Sequence, residues 1–307
     1  MDISLIRTFL EVAATGSFVN ASERLFVTQS AVSLRIQRLE DSLGKVLFTR
    51  SKAGAELTSA GREFERYALS LIKIWEEARQ QIGMPEGYTK ALTIGAQYSL
   101  WPRLGFRWMD RMQAGMPELN LRGELGMPDR LTRFLIEGVV QAALMYTPQL
   151  RPGLTARQVM EEELVLVASW EAELKDIAAD YVFVDWGPEF LHAHATELPE
   201  LTNSGLTLAL GAMAADYIAQ RHKAAYLPAR YVKRYLDEKR LHLVPNAPIF
   251  PYPVWSIWRD DLDEEVREVA EAALVATATQ LDADQEAVLE ALAEANGGET
   301  VEILGNH

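Results

Sequence analysis

Ser30, Leu34, Gln37 and Arg38 share one face of the run Thr28–Leu43, TQSAVSLRIQRLEDSL, with Ser33 on its flank and Arg35 beside them. Two hydroxyls, an amide and guanidinium groups, at helical spacing, are what base edges and phosphates in a major groove accept. Val32, Ile36, Leu39 and Leu43 recur on the opposite face, and Thr28 is a good N-cap, so the run reads as a helix with a buried side and a polar, cationic side. An ordinary amphipathic surface helix has the same period. The neighbours decide between the two.

Other groups suited to chemistry lead elsewhere. The five histidines include His192 and His194, but a His-x-His pair needs a third ligand to hold a metal, and Glu197 is the one nearby guess. The pair therefore reads as polar helix-to-loop surface. The chain has no phosphate-binding loop, no dinucleotide glycine pattern and no nucleophile elbow. Glu161–Glu163 and Asp260–Asp261 read as solvated charge, so no catalytic residue, metal or cofactor is expected. Zero cysteines exclude disulfides and thiolate-bound metal.

The elements that would position the polar face surround it. Leu5, Phe9, Val12 and Ala13 form a first helical stripe that Gly16 stops. Ser17 caps a short second helix carrying Phe18, Ala21 and Leu25, and the chain turns through Phe26 and Val27 into Thr28. Helix, short helix, turn and helix make a helix-turn-helix. Val46–Phe48 and Ala55–Leu57 then bracket a hairpin, a wing whose Arg50 and Lys52 reach phosphates or a minor groove. From Thr58 a long helix carries Phe64, Ala68, Leu71, Trp75, Ala78 and Ile82, spaced 4, 3, 4, 3 and 4. This heptad-like seam suits pairing with a second copy; packing on its own domain is the alternative.

The run SFVNASERLFVTQSAVSLRIQRLEDSLGKVLFTR, followed by LTSAG, resembles the N-terminal domain of LysR-type transcriptional regulators. The likeness is dense to about residue 65 and weaker, mostly in layout, to about residue 280. It implies a winged helix-turn-helix in which Thr28 and Gln29 contact DNA backbone, and a linker helix that pairs two readers. It also implies an effector domain of two α/β subdomains like a periplasmic binding protein, with a ligand cleft between them. Leu34 departs from the family, where a polar or basic side chain is common; an apolar group there suits a thymine methyl.

The 307-residue length fits two or three domains. Net charge is −14, but residues 1–83 hold 11 Lys/Arg and 10 Asp/Glu, net +1, leaving −15 elsewhere. Long-range steering to DNA is then modest, and binding rests on Arg35, Arg38, Arg50 and Lys52, presented twice by a dimer. Gly83–Gly87 breaks the linker. Beyond it, strands at Leu92–Ala96, Leu119–Leu125 and Gln141–Tyr146 alternate with helices at Trp101–Gly115 and Asp129–Gly138. Further segments follow at Leu164–Ser169, Tyr181–Asp185, Leu206–Arg221, Lys223–Leu227 and Val254–Trp258, with a last helix over Asp263–Leu281. This alternation predicts a mostly parallel sheet covered on both faces. The resemblance places the two crossovers near Thr147–Arg151 and Pro251–Trp255.

In such sheets ligands sit at strand C-termini beside helix N-termini, an arrangement that favours an anion. Gln97, Tyr98 and Ser99 leave the first strand, with Ser99 a candidate cap; Asn203 and Ser204 lead toward a helix in the second half, and Trp186 supplies an apolar wall. Met127–Pro128 and Tyr146–Thr147 are candidates by position. Gly138–Leu144 and Arg221–Lys223 depart from the family pattern, which weakens any transfer of effector identity. The run Asp185–Phe190 resembles a branch of the family that includes a regulator of flagellar gene expression.

The expected architecture is α/β overall: winged helix-turn-helix 1–58, linker helix and hinge 59–87, effector domain 88–281 and acidic extension 282–307. That extension has seven acids and no Lys or Arg; 283–295 suits a helix with Val288, Leu289 and Leu292 on one face, and TVEIL a short strand or an unstructured end. The expected partners are double-stranded promoter DNA, a small-molecule effector (an anion by the helix-terminus argument), further copies of this chain as dimer or tetramer, and RNA polymerase. No apolar run approaches the ~20 residues of a membrane span, and the start MDISLIRT lacks a basic signal segment, so a cytoplasmic address is expected. A ligand-binding or enzymatic α/β protein whose helix-turn-helix serves assembly alone is the competing reading.

Overall fold

The computed structural model describes residues 2–51 and 54–297. Lys52 of the wing and the TVEIL run lie outside them. The chain divides into two units, Met1–Pro85 with Arg133–Val139, and Glu86–Thr132 with Val140–His307.

In the first unit, helices begin where short polar side chains can take up a free N–H. Asp2 accepts from Ser4 N before α1 (Ile3–Thr15), Ser17 from Asn20 N before α2 (Phe18–Leu25), and Thr28 from Ala31 N before α3 (Gln29–Leu43). Thr58 does the same for Gly61 N at α4 (Ser59–Ile82). Each such cap is worth about 1 kcal/mol. The hairpin of β1 (Phe48–Ser51) and β2 (Gly54–Leu57) is antiparallel. It is locked to the end of α1, because Ala55 N donates to Gly16 O at 2.7 Å and a Cβ on Gly54 would sit 2.5 Å from that oxygen. Ile6, Phe9, Val12, Val32, Ile36, Leu39, Leu47 and Phe48 form the core. Leu43 lies past its edge and is exposed, so the apolar stripe of α3 ends at Leu39.

The second unit is built on a seven-stranded sheet. Its strands are β3 (Lys90–Ala96), β4 (Leu119–Leu125), β5 (Ala142–Met145), β6 (Leu154–Ala168), β9 (Ala224–Pro228), β10 (His242–Leu243) and β11 (Phe250–Arg259), with β7 (Phe183–Val184) and β8 (Thr207–Leu208) forming a separate pair. Strand order is β10-β6-β11-β5-β3-β4, with β9 also on β6. Only β3–β4 and β3–β5 are parallel within it; the other four pairings are antiparallel. The mostly parallel sheet expected from the alternation is corrected by β6 and β11, two long strands running side by side from Phe250↔Leu164 to Arg259↔Leu154.

These strands are the crossovers. Met160 and Val254 belong to one core, with Leu92, Ile94, Leu144 and Trp258; Leu164 and Phe250 belong to the other, with Leu227, Val232 and Tyr235. The chain therefore passes between subdomains at 160–164 and again at 250–254, where the register shifts between Val254 and Trp255. The second crossover matches its expected place; the first lies some ten residues beyond Thr147–Arg151. Helix α5 (Phe106–Gly115) belongs to the first subdomain, and α7 (Pro188–Glu197), α8 (Ala214–Ala219) and α9 (Ala229–Asp237) to the second; α6 (Pro128–Glu137) is divided between the two units at Arg133.

The boundary expected at residue 282 is absent. A single helix, α10, runs from Glu264 to Ala295. Val266, Ala270, Leu274 and Leu281 pack in the first core while Val288 and Leu292 pack in the second. Acidic composition suggested a separate tail, but the apolar stripe continues through it and both subdomain cores use it.

Candidate functional site

On α3, Gln29, Ser30, Leu34, Gln37 and Arg38 are exposed, Ser33 and Arg35 are half-buried, and Val32, Ile36 and Leu39 are fully buried. Thr28 keeps its side chain on the cap. Arg35 is anchored, Nη1 donating to Thr8 Oγ1 on α1 at 3.3 Å. The Arg50 guanidinium lies over the Phe18 ring, 4.1 Å from its centroid, which holds this wing cation against the second helix. Glu40 fixes the wing to α3, its Oε1 accepting from Leu47 N at 2.7 Å and Phe48 N at 3.3 Å. Phe26 reads from sequence as a turn residue with no role at DNA. It sits in the turn between α2 and α3 with φ +54° and is 94% exposed, an apolar group beside the N-terminus of α3.

The linker seam is rotated from its expected position. Ala68 is fully buried with Ile72 in the winged-helix core, and Phe64 packs its ring 5.0 Å from Phe9. Ala68 is thus committed to its own domain and is corrected as a contact for a second chain. Glu76, also inward, pairs with Arg7 and with Arg79 at 3.2 Å. The outward stripe is Tyr67, Ile74, Trp75 and Ile82, with Leu71 and Ala78 half-buried along it. Spacing alone did not set the rotation, because Ile72 and Tyr67 suit either face.

In the second unit, Gln97, Tyr98, Ser99 and Trp186 line a cavity of about 350 Å³. Its other walls include Met127, Tyr146, Thr147, Asp185, Leu210, Met213 and Tyr252. Tyr146 and Tyr252 stack at 4.1 Å, and Trp186 meets Tyr252 edge-on at 5.3 Å. Trp186 Nε1 donates to Tyr226 O at 3.0 Å, which fixes the indole. Gly187, at φ +108°, a conformation that side chains disfavour, turns the chain from Trp186 into α7. Gln97 Oε1 accepts from Tyr146 N at 2.8 Å, and its amide donors have no partner among the described residues.

Ser99 does not cap a helix. Its hydroxyl donates to Tyr146 Oη at 3.3 Å, and Tyr146 donates in turn to Glu162 Oε2 at 3.0 Å. Glu162 and Glu163, read from sequence as solvated, are buried where β6 crosses between the subdomains. Burial raises the Glu162 carboxyl, against the nearby Arg230 guanidinium, and pushes the Tyr146 phenol well above its usual range. Arg230 pins the crossover, donating to Leu281 O and Glu161 O.

Asn203 and Ser204 are not in this cavity. The segment after them enters β8 instead of a helix, and Ser204 is a turn residue whose hydroxyl donates to Tyr181 O and accepts from Phe183 N. The turn before α8 (Leu210, Gly211 and Met213) takes the place expected for them. The lining also has no Lys or Arg: Asp185 is its one charged residue, so side-chain charge opposes the anion expected from helix termini. His194 is buried, with Nε2 2.8 Å from Tyr181 Oη, and burial lowers it to about 4. It is a core residue, which corrects the surface reading for His194; His192 is exposed, as expected. Among the described residues no group of three His, Asp or Glu could hold a metal, and no helix is long and apolar enough to cross a membrane.

Comparison with known proteins follows the same division. Residues 3–62 match the model of the bacterial regulatory helix-turn-helix proteins of the lysR family, and residues 85–276 match that of the LysR substrate binding domain. The HTH-type transcriptional regulator HdfR of Salmonella schwarzengrund is 31% identical over 272 residues, covering 86% of this chain and 94% of that protein. HdfR of Escherichia coli strain SE11 is 30% identical with the same coverage. Full-length LysG from Corynebacterium glutamicum with bound effector Arg superposes with a TM-score of 0.54 at 19% identity, over 91% of this chain and 99% of that one. ArgP from Mycobacterium tuberculosis gives 0.54 at 22%, over 91% and 98%. At those identities the structures show a shared fold.

Proposed function

The chain belongs to the LysR family of bacterial regulatory helix-turn-helix proteins, transcription regulators with a DNA-binding and an effector-binding domain, and from that premise we propose how its own residues divide the work. α3 enters a major groove. Ser30, Ser33, Gln37 and Arg38 reach base edges, Leu34 packs on a thymine methyl, and Gln29 contacts backbone at the helix N-terminus. Arg50, held over Phe18, and Lys52 contact phosphate, while Arg35 orients α3 against α1. The supporting observation is the contrast between the two sides of α3, one sealed in the core and one exposing polar and cationic groups.

Two copies pair along the outward stripe Tyr67–Leu71–Ile74–Trp75–Ala78–Ile82, presenting two reading helices to half-sites about 34–36 Å apart. A tetramer holds two such pairs and bends the DNA between them. RNA polymerase is the further partner of a regulator on promoter DNA, in the bacterial cytoplasm.

The effector occupies the 350 Å³ cavity, oriented by the Gln97 amide and flanked by the rings of Tyr98, Trp186 and Tyr252. With Asp185 the one charged residue in the lining, the ligand that fits is an uncharged or cationic small molecule with an apolar part. It gates DNA binding to the extent that it binds one arrangement of the subdomains better than another.

The test is fluorescence anisotropy with the DNA upstream of its own gene and with a scrambled duplex, over a salt series. Tighter binding to the upstream DNA, and a salt slope smaller by about one unit in Arg50→Ala, are expected. Equal affinity for both duplexes at every salt concentration counts against the assignment. For the cavity, a thermal-shift screen with amines, neutral aromatics and carboxylates is expected to pick out the first two classes. Asp185→Asn, which keeps the acceptor used by Gly187 N, is expected to weaken amines selectively. A response to carboxylates alone overturns the ligand class.

A further inference from the structure

A second cavity, of about 450 Å³, adjoins the effector cleft and shares Tyr98 with it. One wall is the turn after β3 and the start of α5, with Tyr98, Pro102, Arg103 and Arg107; the other is α8 and α9, with Asp216, Tyr231 and Arg234. The first wall is backed by Leu104 and Trp108 of one core, and the second by Val232 and Tyr235 of the other. The cavity therefore spans both subdomains, as the effector cleft does, but its charge is opposite in sign.

Three guanidinium groups and one carboxylate line it. The carboxylate is engaged, Asp216 Oδ1 accepting from Tyr235 Oη at 2.7 Å. Arg234 is held in place: it donates to Tyr235 Oη at 2.5 Å and stacks over the rings of Tyr235 and Tyr231, 4.5 and 5.3 Å from their centroids. Arg107 is exposed. Arg107 makes no ion pair with a carboxylate among the described residues, and Arg234 has Asp216 as its nearby carboxylate, the two sharing the Tyr235 hydroxyl. The Tyr98 and Tyr231 phenols add two hydroxyl donors to the same walls.

We propose that this arginine-lined cavity binds a small dianionic oxyanion, of the phosphate or dicarboxylate type, as a second ligand distinct from the effector. Planar guanidinium groups match the paired oxygens of such an ion. With Arg107 on one wall and Arg234 on the other, the bound ion ties the two subdomains together.

The experiment is calorimetric titration of the full-length protein at constant ionic strength with inorganic phosphate, succinate and acetate. Arg107→Gln and Arg234→Gln, singly and together, are compared with the parent chain, and circular dichroism verifies that each is folded. Arg50→Gln controls for anions binding at the DNA-reading unit. Saturable binding of phosphate or succinate, at least tenfold tighter than acetate, is expected; it weakens at least tenfold in each single variant and is unchanged in Arg50→Gln. Phosphate without succinate, or the reverse, identifies which oxyanion the cavity selects. Absence of saturable binding by both dianions overturns the proposal, as does binding that persists unchanged in the folded double variant.

Discussion

The DNA-reading face and the effector cleft are built on opposite terms. Gln29, Ser30, Leu34, Gln37 and Arg38 are exposed and carry no side-chain hydrogen bond to the rest of the unit among the described residues. In the cleft the side chains hold one another: Gln97 accepts from Tyr146 N, Ser99 donates to Tyr146, Tyr146 to Glu162, and Trp186 to Tyr226 O. A surface that meets a polyanion in water gains from side chains whose hydrogen-bonding capacity is unspent. A cleft that must recognise one small molecule gains from walls that are set before it arrives. Substitutions on the first face should therefore change binding with little change in stability, and substitutions in the second should change both.

The sharpest break of this contrast is Trp75→Glu. A charge on the outward stripe of α4, buried unpaired between two copies, costs several kcal/mol. The expected result is loss of the dimer by sedimentation and loss of upstream-DNA binding, with the far-UV spectrum and the cleft's unfolding transition unchanged. An intact dimer with parental DNA affinity removes the stripe from the interface. Next comes Trp186→Ala, which deletes a buried ring and leaves Tyr226 O without its donor; about 3–5 kcal/mol should be lost from the effector unit in chemical denaturation. A loss below about 1 kcal/mol would mean that the cleft wall is not braced as described.

Acid should separate the two units further. His194 is held down to about 4 by burial, from an ordinary 6.5, so around pH 5 the unfolded chain takes a proton that the folded chain refuses. Stability of the effector unit is thus full above about pH 6.5 and falls as the pH drops toward 4, by on the order of 3 kcal/mol. His194→Gln should flatten that fall in pH-dependent melting; an identical slope assigns it to other groups. The smallest effect belongs to Arg38→Ala. It should weaken DNA binding by about 1–3 kcal/mol and shift the melting temperature hardly at all. A melting shift as large as that of Trp186→Ala would show that Arg38 is structural.

What the sequence determined by itself is the part whose interactions are local. Asp2, Ser17, Thr28 and Thr58 each accept from an N–H two or three residues on, Gly16 ends α1 in the left-handed conformation, and the reading face lies within ten consecutive residues. Such contacts are legible because the residues that make them are neighbours in the chain. The strand exit at Gln97–Ser99 is legible for the same reason.

Tertiary structure decided what depends on distant pairing. Glu162 is buried because β6 runs against β11, some ninety residues later, and because Tyr146 and Arg230 meet it there. Asn203 and Ser204 fall outside the cleft because β8 pairs with β7, which delays the next helix until after Leu210 and brings that turn to the cavity. Ala68 turns inward because Phe9, on a different helix, receives Phe64 one turn earlier. The acidic end of α10 is structural because two cores lie along one helix. Composition and period report how apolar a face is; they do not report which distant surface covers it, and in this chain that covering surface set both the rotation of the linker helix and the lining of the cleft.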